Sequence, residues 1–138
     1  MNITDILAEY GKYEESYSTT RTFHDELKAI LLKRKWDSEN FKERTGLDDM
    51  TFTRLTKKPD YRFSKRIIVN ICIGLGLDFR MSEQLLKLQG YSLSTKYDED
   101  NAYSFLIERG YTDIEDCNQI LTALKIPPKL HLGTLSKQ

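Results

Sequence analysis

This 138-residue sequence has few of the residues that build disulfide frameworks, metal sites or membrane spans. It contains two cysteines and two histidines, and neither His24 nor His131 has a cysteine or carboxylate at metal-ligand spacing. The longest apolar run, Ile67 to Ile73, is interrupted by Asn70 and is far shorter than the roughly 18 residues that cross a bilayer. We therefore expect no metal, no cofactor and no association with a membrane.

The amino terminus and the cysteines bear on the compartment. Met1 to Tyr10 has neither the basic start nor the apolar stretch of a signal peptide. Cys72 and Cys117 each fall inside an apolar helical pattern, which is typical of buried, reduced thiols. The sequence therefore predicts a cytoplasmic protein.

Sequence motifs of catalytic sites are missing as well. No serine stands in a nucleophile-elbow pattern, and no phosphate-binding loop is present. The GLGLD run at 74–78 lacks the spacing of the nucleotide-binding motifs and follows no predicted strand, so it is interpreted as the end of a helix. The acidic run Asp98 to Asp100 is typical of a helix start. We expect that the protein is not an enzyme.

A net charge of zero conceals an uneven distribution of charge along the chain. Residues 27–66 carry twelve basic and six acidic side chains, a net charge of +6, whereas residues 1–26 have a net charge of −4 and residues 97–118 of −6. A local basic patch is what binding to nucleic-acid phosphates needs. A solvated surface of mixed charge is the plainer interpretation of the same pattern.

Apolar residues recur at helical spacing and no strand-like alternation persists, so the sequence predicts an all-α fold. It divides into an N-terminal helical arm with a linker (1–22), a central five-helix unit (23–95) and a C-terminal two-helix extension (96–138). In the arm, a short helix is predicted to end at Tyr10, and a polar linker to run from Gly11 to Thr22. The central helices are predicted at 23–35, 38–45, 49–58, from 64, and from a cap at Ser82; those of the extension are predicted at 98–108 and 113–124.

The segment from Asp37 to Arg66 carries the functional interpretation. Gly46 can adopt the left-handed conformation that ends one short helix. Asp48 is suited to cap the start of the next helix, and Pro59 to end that second helix. A short helix, a glycine-containing turn and a second short helix form the arrangement that places the second helix in the major groove of DNA. We therefore expect the helix at about 49–58 to read double-stranded DNA.

The position of each residue on that helix defines the candidate DNA contacts. The base-facing candidates are Asp49, Met50, Thr53 and Arg54, and Arg54 is the strongest because its planar guanidinium can reach guanine O6 and N7 together. The plainer interpretation of Asp48 and Asp49 is helix capping. The phosphate-facing candidates are mostly basic and lie around this helix: Ser38, Lys57, Lys58, Arg62, Lys65 and Arg66.

These residues resemble the Xre, or lambda-repressor-like, helix-turn-helix family over about 23–93. The resemblance rests on the apolar Phe41, the turn at Gly46, the inward pair Phe52 and Leu55, and the helix that ends in GLGLD. The segment MSEQLLKLQGYSL at 81–93 is similar to the fifth helix of a subgroup that continues with two more helices, which resemble DEDNAYSFLIERG and DIEDCNQILTALKIPP here. The resemblance implies a five-helix fold and a DNA-binding regulator of transcription.

The same resemblance leaves a second function open. Asp48 and Asp49 would face phosphates. Several residues also depart from the family pattern: Ser38, Lys42, Thr45, Thr56 and Lys58. The alternative is a helical protein-interaction module, an adaptor or inhibitor, that keeps the fold without binding DNA. For the regulator we expect a homodimer on paired half-sites, with the acidic C-terminal helices as the surface for the dimer or for a protein partner.

Overall fold

A computed structural model describes the backbone of residues 1–17 and 22–134, and the side chains of these residues except 13–17. Within those ranges the chain forms eight α-helices and a short 3-10 helix, with no strand, so the predicted all-α fold is confirmed. None of the helices in the described ranges is both long and apolar enough to cross a lipid bilayer. The helices are α1 (Ile3–Tyr17), α2 (Phe23–Arg34), α3 (Ser38–Thr45), α4 (Asp49–Lys57), α5 (Lys65–Leu75), α6 (Phe79–Leu88), α7 (Asp98–Glu108) and α8 (Ile114–Ala123), and the 3-10 helix is Pro128–Leu130.

Local capping explains where most of these helices begin. In six of them a hydroxyl or carboxylate oxygen just before the helix accepts a hydrogen bond from a backbone amide three residues later. Such a cap contributes about 1 kcal/mol. The capping residues are Thr22, Asp37, Asp48, Ser64, Asp78 and Asp113.

The predicted end of the first helix is wrong. α1 continues from Ile3 to Tyr17, although the sequence predicted a linker from Gly11 onwards. Gly11 is helical and has no atom within 4 Å of the place a β-carbon would take, so the glycine weakens the helix without ending it. The rest of the predicted linker, at 18–21, lies outside the described residues.

The predicted start of α6 is also wrong. The helix begins at Phe79, because the Asp78 carboxylate accepts from the Met81 amide at 2.8 Å. Ser82, the predicted cap, is buried one turn inside the helix, where its hydroxyl donates to the Asp78 carbonyl at 2.8 Å. A serine that bonds back along its own helix is indistinguishable from a cap by residue type alone.

α5 is the central helix of the core. Its residues from Ile68 to Leu75 are all buried, and α3, α6, α7 and α8 pack around it. A β-carbon at Gly74 would lie 2.8 Å from Thr45 Cγ2 and 2.9 Å from the Arg44 carbonyl oxygen. The glycine therefore allows the end of α3 to lie directly against α5.

Both cysteines are buried free thiols.

Asn70, which interrupts the apolar run of α5, joins three parts of the fold. Its side-chain amide donates to the Thr45 carbonyl at the end of α3 at 2.8 Å. Its carbonyl oxygen accepts from the amide of Gly133, which lies beyond the last helix. The next amide, that of Thr134, donates to the Gly46 carbonyl at 2.8 Å. Hydrogen bonds from Gly133 and Thr134 therefore hold the C-terminal segment against α5 and the turn between α3 and α4.

Candidate functional site

α3 and α4 meet through the short turn Gly46–Asp48. Gly46 has a φ of +69°, which favours glycine, and the buried Leu47 anchors the turn in the core. The rings of Phe41 and Phe52 lie 5.3 Å apart between centroids and join the inner faces of the two helices. The predicted boundaries of both helices agree with the structure to within one residue.

The N-termini of α3 and α4 lie side by side. The Ser38 hydroxyl donates to the Asp49 carboxylate at 3.1 Å. The Asp48 carboxylate accepts from the backbone amide and from the hydroxyl of Thr51, both at 2.9 Å, and these bonds hold the pKa of the Asp48 carboxyl below its ordinary value. The capping interpretation of Asp48 is confirmed, and Asp49 is held by the neighbouring helix.

One face of α4 is open to solvent. Met50, Thr53 and Lys57 follow the i, i+3, i+7 spacing of a single helix face, and all three are exposed, Met50 to 57 %. Leu55, on the opposite side, is completely buried. We call this face, with Asp49 at its edge, the α4 ridge. α7 and α8 pack mainly against α5 and α6, so they leave the ridge uncovered.

Arg54 lies on the flank of the ridge and is half-buried. Its guanidinium carbon is 4.8 Å from the centroid of the Tyr61 ring, a cation–π distance. A stacked guanidinium keeps its N–H groups available at its edge. Arg54 is therefore held in one orientation beside the α4 ridge, which reduces the entropy lost when it donates to an acceptor.

His24 supports this arrangement, and sequence reasoning missed its role. The ring is buried, with Nε2 2.8 Å from the Tyr61 carbonyl oxygen and Nδ1 3.0 Å from the Leu55 carbonyl oxygen. It thus joins α2 to the end of α4 and to the loop that carries Tyr61. The signal was present, since His24 stands three and seven residues before Leu27 and Leu31, on the inward face of α2.

Three predicted phosphate-facing residues lie at the end of α4 and in the loop that follows it. Lys57 and Lys58 are exposed at the C-terminal end of α4. Arg62 is exposed in the loop that follows, where its Nε donates to the Gln89 carbonyl at 3.2 Å and its guanidinium carbon lies 4.9 Å from the Tyr91 ring centroid. These cations are close to the ridge in sequence and are accessible to a polyanion.

Lys65 and Arg66, which were also predicted to contact phosphates, bond to distant parts of the chain. The Lys65 ammonium lies 2.9 Å from the carboxylate of the buried Asp100 in α7. Arg66 donates to the carbonyls of His131 and Gly133 at 2.9 and 3.0 Å, and burial lowers the pKa of its guanidinium from the ordinary value. Both side chains hold the C-terminal extension against α5, and their contact with phosphates stays a prediction.

In the part of the chain that the structure describes, no three histidine, cysteine or carboxylate side chains are grouped to hold a metal ion.

Comparisons with models of protein families, with curated proteins and with solved structures found no match to this chain.

Proposed function

We propose that this chain is a sequence-specific DNA-binding regulator of transcription, with α3, the turn and α4 acting as an Xre-type helix-turn-helix. In this proposal α2 to α6 are the five helices of the lambda-repressor-like unit, and α4 enters the major groove. The single observation that carries the proposal is the exposed α4 ridge, which includes Lys57, with the exposed cations Lys58 and Arg62 following it in sequence.

The size and chemistry of the ridge suit the major groove. An α-helix with its side chains is about 10–12 Å across, and the groove is about 12 Å wide. Met50 has the apolar surface to contact a thymine methyl, and Thr53 has a hydroxyl that can pair with several base edges. Arg54, held against Tyr61, has the fork geometry for guanine O6 and N7.

The acidic residues at the start of α4 both make local contacts. The Asp48 carboxylate accepts from the amide and hydroxyl of Thr51, and the carboxylate of Asp49 accepts from Ser38. Both carboxylates therefore have structural roles. Lys57, Lys58 and Arg62 supply a positive field at the other end of the same helix, where phosphates on the groove edge would lie.

Salt dependence of binding tests the assigned phosphate contacts. A preferred duplex is first selected from a random library, and fluorescence anisotropy then gives the affinity from 50 to 200 mM salt. Each phosphate contact contributes about 0.9 to the slope of log K against log salt. Replacing Lys57 and Lys58 by alanine should reduce that slope by about 1.8, so that the loss of affinity over this range becomes about 12-fold smaller.

The matched control replaces Lys96 and Lys129, two exposed lysines outside the helix-turn-helix, by alanine. The control should keep the slope of the unaltered protein. Arg54→Ala should reduce the preference for one base pair by about 5- to 140-fold, the equivalent of one bidentate contact. Equal slopes for both lysine pairs would contradict the proposed surface.

The alternative proposal is the protein-interaction module on the same fold, and the exposed Met50 with its acidic neighbour Asp49 is the observation that favours it. A surface that binds a protein would not need Lys57 and Lys58 and would not show a steep salt slope with DNA. Failure to select any duplex at micromolar protein would favour this module over the regulator.

A further inference from the structure

Tyr61, in the loop between α4 and α5, connects the α4 ridge to the core. Its side chain is 37 % exposed, and the Arg54 guanidinium carbon lies 4.8 Å from the centroid of its ring. The same ring meets that of the buried Phe63 at 4.7 Å between centroids and an interplanar angle of 67°, the edge-to-face arrangement that aromatic pairs prefer. The ring of Tyr61 therefore contacts a surface arginine and a core ring at the same time.

Hydrogen bonds to three other parts of the fold hold the backbone of this loop. His24 Nε2, in α2, lies 2.8 Å from the Tyr61 carbonyl oxygen. The Tyr61 amide donates to the Lys58 carbonyl at the end of α4 at 3.0 Å. Two residues further on, the Phe63 amide donates to the side-chain oxygen of Gln89 at 2.8 Å. Both backbone polar groups of Tyr61 are thus engaged, so its ring extends from a fixed backbone.

A fixed ring limits the orientations that the guanidinium of Arg54 can take. A long side chain in solvent samples many rotamers and loses that freedom when it binds a ligand. A bidentate bond to guanine O6 and N7 needs two N–H groups in one particular orientation, whereas contacts to phosphates carry no sequence information. Loss of the stack should therefore lower the preference for a base without changing the phosphate contacts made elsewhere.

We propose that Tyr61 is a positioning residue for base recognition: by stacking on Arg54 it sets the preference for guanine at one base pair of the bound DNA. The inference rests on the proposed DNA-binding function and names the base that this part of the surface reads. It also divides the surface by task. Arg54 and Tyr61 determine which sequence is bound, and the exposed cations Lys57, Lys58 and Arg62 provide the attraction to phosphates.

Three variants and two duplexes test the inference. The first duplex is the selected one, and the second carries a changed base pair at the position whose preference Arg54→Ala reduces. Tyr61→Phe keeps a ring and should keep the preference to within about twofold. Tyr61→Leu should lower the preference by about 2- to 13-fold, the cost of immobilising one arginine side chain. Neither variant should change the salt slope, which a loss of phosphate contacts would reduce.

Tyr91→Leu is the matched control. The Tyr91 ring lies 4.9 Å from the guanidinium carbon of Arg62, so it makes a stack of the same kind on an arginine assigned to phosphates. Its hydroxyl also donates to the Phe63 carbonyl at 2.7 Å, so the variant disturbs the same loop. Tyr91→Leu should keep the base preference. A loss equal to that of Tyr61→Leu would show that Tyr61 only supports the loop and would overturn the inference.

A double variant shows whether Tyr61 acts through Arg54. In the Arg54→Ala background, Tyr61→Leu should cause no further loss of base preference, because the group that it positions is gone. A further loss there, or full preference in the single Tyr61→Leu variant, would overturn the inference and leave the DNA-binding function standing. Circular dichroism checks that each variant remains helical.

The stack is also measured without DNA. In the free protein the ring current of Tyr61 should shift the Arg54 δ-methylene protons upfield, and Tyr61→Leu should abolish that shift while Tyr61→Phe retains it. Missing shifts in the unaltered protein would overturn the inference alone. Failure to select any duplex while the shift is present would instead overturn the DNA-binding function, and the inference with it.

Discussion

Replacing Gly74 by alanine tests how α3 is placed against α5. The added β-carbon would lie 2.8 Å from Thr45 Cγ2 and 2.9 Å from the Arg44 carbonyl oxygen. Ordinary contacts between carbon atoms are about 3.5–4.0 Å, so α3 has to move away by roughly 0.5–1 Å. The Arg44 oxygen belongs to the backbone, so a change of rotamer cannot relieve the contact.

The expected cost follows from two opposing effects. Overpacking of this kind costs about 1–3 kcal/mol, and the better helix propensity of alanine offsets about 1 kcal/mol. We expect Gly74→Ala to lower the free energy of unfolding by about 1 kcal/mol and by no more than about 2 kcal/mol. For a chain of this size each kcal/mol lowers the melting temperature by about 3–4 °C.

Thermal and urea unfolding followed by circular dichroism provide the measurement. Gly11→Ala is the matched control because it is also a helical glycine but has no atom within 4 Å of the new β-carbon. It should leave global stability unchanged or slightly raised. If Gly74→Ala were as harmless as Gly11→Ala, the direct contact between α3 and α5 would be refuted.

Three further predictions concern buried polar groups. His24→Ala should cost about 2–4 kcal/mol and speed amide exchange at 58–62, because two carbonyls lose the ring that lies against them; unchanged exchange would contradict that role. Asp100→Ala removes the partner of the partly buried Lys65 and should lower the free energy of unfolding by about 1–3 kcal/mol. Glu83→Ala, which breaks the exposed ion pair with Lys87, should change it by less than about 0.5 kcal/mol. Equal losses would argue against the buried pair. Burial raises the pKa of Cys72 to about 12 and of Cys117 to about 11. Above about pH 9 the unfolded chain releases thiol protons that the folded chain retains, so the free energy of unfolding, measured with urea, should fall as pH rises. Both thiols should resist a disulfide reagent at pH 8 until the protein unfolds, and rapid labelling would disprove their burial.

Local signals made the helix boundaries around the candidate site predictable. Asp37 and Asp48 cap α3 and α4 through amides three residues away, and Gly46 ends α3 in a left-handed conformation. All of these contacts lie within one turn of chain, so residue type and spacing are sufficient to predict them. The inward positions Phe41 and Leu55 followed from helical spacing for the same reason.

Contacts between distant parts of the chain could not be predicted in this way. Lys65 and Arg66 look like surface cations in the sequence, but their partners are 35 to 67 residues further on. Which cations stay free depends on where the C-terminal extension packs, and that is decided by the whole core. The stacking of Arg54 on Tyr61 was missed because it depends on a loop that the buried His24 ring holds in place.

The most direct test of the central claim, that DNA binds the exposed face of α4, uses the methyl signals of methionine. The chain has three methionines: Met50 lies on the α4 ridge, whereas Met1 lies before α1 and Met81 is half-buried in α6. With methyl-¹³C methionine and a selected duplex, we predict a shift of the Met50 signal that reverses at high salt, while Met1 and Met81 stay in place. A complex in which the Met50 signal does not move would contradict the account.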